Sequence, residues 1–139
     1  MNFILAGHGN IAIEMKKSIE MIAGEYTNLH AITFQLGEGI ESLKDKYLKI
    51  ISQPTEQPFI IITDIFSGSP YNAAAMLAMQ NGNIEVISGL SLPLCLALLH
   101  IDYSSINLEE TFEQLNDMKA DFIKSFSQLS KNIAKHEEF

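Results

Sequence analysis

Four short apolar runs punctuate the chain, at Phe3 to Ala6, His30 to Phe34, Phe59 to Thr63 and Ile84 to Ile87, and between them apolar residues recur at helical spacing. Ile11, Met15, Ile19 and Ile22 share one helical face, as do Ile40, Leu43, Tyr47 and Ile50, and then Tyr71, Ala74, Leu77 and Ala78. Phe59-Ile60-Ile61-Ile62 is apolar throughout, as a strand covered on both faces must be, and Pro54 and Pro58 mark the loop before it. The run from His30 to Phe34 alternates, which suits a strand nearer the sheet edge, with His30 a surface or strand-end residue rather than a catalytic one. The β-α-β-α-β-α-β-α-α pattern predicts a doubly wound α/β fold with a mainly parallel sheet and helices on both faces.

Val86 to Leu99 is uncharged and mostly apolar, but it is too short to span a membrane and is interrupted by Gly89 and Pro93. It reads as a strand followed by a buried helix. Cys95 within that helix is expected to be a buried small hydrophobe, and His100 to interact with the helix's last carbonyls. Further on, Asn107 with Glu110 resembles a capping box, followed by Leu108, Leu115, Phe122 and Leu129 at intervals of seven. A second row, Phe112, Phe126 and Ile133, is interrupted by Lys119. One long helix lying on the sheet is expected, with part of the stripe open to a subunit interface. His136 to Phe139 reads as a frayed polar tail.

With 139 residues, the chain is expected to form one domain, residues 1–139, with a single substantial core. Its 17 acidic residues against 9 basic ones give a net charge of −8, which argues against a nucleic-acid partner and suits a basic protein. All nine basic residues are lysine, so the chain supplies no guanidinium clamp for a phosphate. One cysteine excludes an internal disulfide, and the histidines at 8, 30, 100 and 136 have no metal-ligand spacing, so no metal or cofactor is expected. The N-terminus lacks the pattern of a secretory signal, and a cytoplasmic setting is expected.

Candidate chemistry falls at two strand ends. Ala6-Gly7-His8-Gly9-Asn10 follows the first strand, and Asp64-Ile65-Phe66-Ser67-Gly68-Ser69-Pro70-Tyr71-Asn72 follows the third. In a sheet of order 2-1-3-4 these strands are neighbours and the strand order reverses between them, so both loops open on one crevice. Asp64 could then bond His8 Nδ1 and leave Nε2 free as a nucleophile. Gly9, Asn10, Ser67, Gly68 and Ser69 offer amides and hydroxyls to a phosphoryl group, beside the start of a helix that Pro70 opens. Each residue also has a plainer use. Asp64 and Ser69 could cap, Asn72 could face solvent in a first turn, and Phe66, Met76 and Met79 could pack.

Together, Ala-Gly-His-Gly after strand one and Asp-x-x-x-Gly-Ser-Pro-x-Asn after strand three resemble the mannose-family IIA domain of the bacterial phosphoenolpyruvate-dependent sugar phosphotransferase system. The resemblance runs through about Leu129. It implies that His8 accepts a phosphoryl group from the histidine phosphocarrier protein and passes it to a separate IIB component, with membrane IIC and IID components served indirectly. It further implies that Asp64 hydrogen-bonds the histidine, that Ser69 is the serine of the Gly-Ser-Pro loop, and that a homodimer exchanges a C-terminal segment as an antiparallel edge strand. Gly7, Phe66 and Ser67 depart from the Thr or Ser, Trp and Gly often found there. Other readings of the residues are a receiver-type phosphoacceptor at Asp64, which lacks an acidic pair after strand one, and a Ser-His-Asp hydrolase, which lacks a Gly-x-Ser-x-Gly elbow. A regulatory or binding module of the same fold, such as a IIA-like domain serving a dihydroxyacetone kinase or a transcription regulator, also stays open.

Overall fold

The computed structural model describes residues 1–53 and 56–137. Its element order is β1 (Asn2–His8), α1 (Ile11–Ala23), β2 (Leu29–Phe34), α2 (Ile40–Ile51), β3 (Phe59–Thr63), α3 (Ser69–Ala78), β4 (Ile84–Ser88), α4 (Leu92–His100), α5 (Leu108–Met118) and α6 (Phe126–Glu137). The four strands form one parallel sheet in the order β2-β1-β3-β4, as the alternating pattern predicts. All five residues of β3 are buried, which matches its unbroken apolar sequence. Pro54 lies outside the described residues, as do parts of the tail beyond Glu137.

Side chains alternate across the sheet and sort into two cores. Phe3, Leu5, Ile60, Ile62 and Ile87 pack with Ile19 of α1, Leu94, Cys95 and Leu98 of α4 and Leu115 of α5. Ile4, Ala6, Ile32 and Ile61 pack on the other face with Leu43 and Tyr47 of α2 and Ala73, Ala74 and Leu77 of α3. Burial pushes the Cys95 thiol up to about 12, as expected of an inert core cysteine. Among the described residues, no helix is long and apolar enough to cross a membrane.

Several expectations needed correction. The buried face of α1 runs through Ala12 and Ile19, with Met15 packed beside them, while Ile11 and Ile22 are exposed, because positions 12, 15 and 19 form the helical row that meets the sheet. Met76 and Met79 are exposed rather than packed, since Pro70, Ala73, Ala74 and Leu77 already fill the inner face of α3, and Phe66, on the loop before α3, is exposed with the Tyr71 ring beside it at 5.0 Å. The C-terminal stripe is two helices instead of one. Asn107 caps α5 by accepting the Glu110 amide at 2.9 Å, α5 tightens into a 3₁₀ turn at Lys119–Asp121, and α6 begins afresh at Phe126. Leu115 is the last residue of the stripe to be fully covered by the sheet-side core; Met118 and Phe122 pack on it only partly, and Phe126, Leu129 and Ile133 are exposed. The exchanged antiparallel edge strand implied by the resemblance is likewise not seen among the described residues, where that segment is helical.

Candidate functional site

β1 and β3 lie side by side, with Ala6 opposite Thr63, so the next residues of both strands emerge together where the strand order reverses. His8 ends β1 as an exposed residue after five consecutive buried ones. One Asp64 oxygen, Oδ2, accepts both the His8 backbone N–H at 2.8 Å and the imidazole Nδ1–H at 2.7 Å. The other, Oδ1, accepts the Ile65 amide at 2.9 Å. Burial pushes the Asp64 carboxyl up, but the bonds from His8 and Ile65 outweigh it and hold the group below the usual carboxylate range. An ionised carboxylate only accepts, so the proton between them belongs to Nδ1 and the neutral ring carries its lone pair on Nε2. The Asp64 side chain is 11% exposed and that of His8 49%, a sheltered orienting group beneath an accessible base.

Absent side chains make this approach possible. A Cβ at position 7 would stand 2.4 Å from Ile11 Cγ2 and 3.2 Å from Asp64 Cβ, so the bare Gly7 admits both neighbours. A Cβ at position 68 would lie 3.0 Å from Ile65 Cγ1 and 3.4 Å from His8 Cε1. The β3–α3 turn therefore runs beside the imidazole, with the side-chain position of Gly68 facing His8 Cε1. Ser67 within it has φ +66°, and Asn72 Nδ2 donates to the Ser67 carbonyl at 3.1 Å.

The β2–α2 turn contributes residues that the sequence reading missed. Phe34 meets the His8 ring nearly edge-on, with centroids 5.4 Å apart and planes at 77°. Its carbonyl accepts the Gly9 amide at 2.7 Å, and Gln35 Nε2 donates to Asn10 Oδ1 at 2.7 Å. Glu38 holds this turn, accepting from the Gln35 amide, the Ser42 hydroxyl and Lys46. These bonds, Lys46 first, pull its carboxyl down to about 2. The available signal was topological: β2 flanks β1, so the turn after β2 had to border His8. Between His8 and this turn lies a cleft of about 320 Å³, open beside the exposed Leu36.

Of the expected site residues, His8 and Asp64 are bonded to each other, and the side-chain position of Gly68 faces the imidazole. Gly9 and Asn10 spend the groups just named on the β2 end. Ser69 opens α3, whose cap position is Gly68 with no side-chain cap bond, and Pro70 stands in the first turn. Asn72 is bonded to Ser67 rather than only to solvent. His30 is half-buried on the edge strand β2, and desolvation and Lys16 lower its pKa, while His100 Nδ1 donates to the Leu96 carbonyl at 2.6 Å near the end of α4. Among the described residues no group of three or more metal-ligating side chains is assembled. A larger hollow of about 660 Å³, between Met1, Pro58, Asn83 and Tyr103, lies at the amino ends of the strands, away from His8.

Comparison with known proteins agrees with this architecture. Residues 2–116 match the family model described as "PTS system fructose IIA component". The chain is 35% identical to a sorbose-specific EIIA component from Lacticaseibacillus casei over 139 residues, 100% of both chains. It is also 35% identical to a fructose-specific EIIA component from Bacillus subtilis, over 97% of this chain and 90% of that one. A phosphotransferase system EIIA component from Streptococcus agalactiae superposes with a TM-score of 0.81 at 21% identity, covering 91% of this chain and 98% of the other, a likeness of fold. With a parallel 2-1-3-4 sheet and relatives that match it along their length, this chain belongs to the mannose-type EIIA family of the sugar phosphotransferase system.

Proposed function

We propose that His8 is the phosphoryl carrier of this EIIA component, taking the group from the histidine phosphocarrier protein and giving it to a IIB component. The observation that carries this is the 2.7 Å bond from His8 Nδ1 to Asp64 on a half-exposed imidazole. Nε2 attacks phosphorus in line while the donor's nitrogen–phosphorus bond breaks, and Asp64 keeps the proton on Nδ1 and stabilises the charge gained by the ring. In the second transfer the Nε2–phosphorus bond breaks as the acceptor's nucleophile on IIB attacks. Ser67, Gly68 and Ser69 meet the phosphoryl oxygens, and Gly9 and Asn10 act by fastening the β1–α1 turn to the end of β2.

No arginine is present to hold the anion, which suits a relay that must release what it receives. The acidic charge suits a basic donor met in brief, steered encounters. The reading carries with it one functional unit over residues 1–139, a cytoplasmic location, a homodimer, and membrane IIC and IID partners reached only through IIB. Intact-mass measurement after incubation with phosphoenolpyruvate, enzyme I and the histidine phosphocarrier tests it. One acid-labile phosphoryl group is expected on the wild type, none on His8→Ala, and slower uptake on Asp64→Ala. No uptake from an active donor would reject the carrier role and favour a regulatory module of the same fold.

A further inference from the structure

Among the described residues, Ser67 is the only non-glycine residue with its backbone in the left-handed region. That conformation disfavours any residue with a Cβ, so something must hold it. Burial does not, since Ser67 is exposed and its neighbour Phe66 is 70% exposed, resting at 5.0 Å against Tyr71. Asn72 grips the turn twice. Its side-chain Nδ2 donates to the Ser67 carbonyl at 3.1 Å, and its backbone N–H donates to the next carbonyl, Gly68, at 2.9 Å. The second bond would survive in any helix beginning at this place, whereas the first needs a side-chain donor of this length.

What the turn holds is Gly68, whose missing Cβ would stand 3.4 Å from His8 Cε1. Cε1 lies between the nitrogen bonded to Asp64 and the nitrogen left free, so the place where the turn sets Gly68 bounds the room beside the ring's tethered edge. We propose that Asn72 is a positioning residue: by bonding the Ser67 carbonyl it keeps the strained turn in place and, through Gly68, fixes the edge of the His8 imidazole that carries Nε2. The consequence for transfer rests on the carrier role proposed for His8; the geometric part does not.

Two readouts separate these. In NMR spectra of the wild-type chain, Gly68 Hα and His8 Hε1 should give a strong cross-relaxation peak. Asn72→Ala should weaken that peak several-fold. Adding Ser67→Gly should restore it, because glycine adopts a positive φ without the penalty. In transfer from the phosphocarrier, Asn72→Ala should lower kcat by about tenfold with little change in KM, the signature of a misaligned nucleophile rather than a lost docking contact. An unchanged peak in Asn72→Ala, no recovery on adding Ser67→Gly, or a loss confined to KM would overturn the proposal. If the wild type accepts no phosphoryl group, the carrier reading fails, and the NMR comparison still decides the role of Asn72.

Discussion

Helices α2 and α6 are both 12 residues long and both gather their apolar residues on one side, yet Leu43 and Tyr47 of α2 are fully buried while Phe126, Leu129 and Ile133 of α6 are 87%, 46% and 59% exposed. The difference lies in what each helix follows. α2 connects β2 to β3, which flank β1 in the one sheet, and must return across it, where Ile4, Ile32 and Ile61 await it. α6 comes after α5, when α2 and α3 cover that face and α1, α4 and α5 the opposite one. An amphipathic pattern therefore records that a face can be covered and leaves open what covers it. For α6 the proposed homodimer supplies a cover.

The largest test of this contrast is Leu43→Ala. Removing a fully buried side chain from the sheet-covered helix should cost about 3 kcal/mol in urea unfolding, and a loss below about 1 kcal/mol would mean that α2 is held as loosely as α6. A smaller effect should appear in acid. The Asp64 carboxyl is held below its ordinary value, so its stabilisation is complete above the unfolded-state value near 3.8 and is lost as the pH falls through the lower folded value. Unfolding midpoints followed from pH 6 to pH 2 should thus fall less steeply for Asp64→Asn than for wild type; parallel curves would mean that the His8–Asp64 bond adds nothing to the fold.

The smallest effect belongs to α6. Leu129→Ser with Ile133→Ser should change the stability of the dilute chain by less than about 0.5 kcal/mol, as substitutions on an open surface do. At higher concentration, a wild-type stability that rises while that of the double variant stays flat would identify a second copy as the cover. Concentration-independent stability in both would leave the stripe uncovered and remove the dimer from the proposal.

Much of the site was legible because its logic is local. A histidine at the end of an apolar run and an aspartate at the end of another must meet if their strands are neighbours, as the expected 2-1-3-4 order makes them and the sheet bears out. Phe34, Gln35 and Glu38 were missed because nothing in their own neighbourhood marks them; they matter only because β2 pairs with β1. Asn72 was read as a first-turn polar residue, since a bond reaching back five positions depends on how the intervening turn folds.

The four strands and the helices between them, the two-sided burial of β3 and the strand-end positions of His8 and Asp64 could be read from the chain alone, because periodicity and strand-end position are properties of near neighbours. The folded chain was needed to show which face of α1 turns inward, that β1 and β3 pair, that the C-terminal stripe breaks into α5 and α6, and that a serine in the left-handed region precedes the glycine beside the imidazole. Those outcomes depend on the space left by other elements, and close packing makes that space a property of the whole fold.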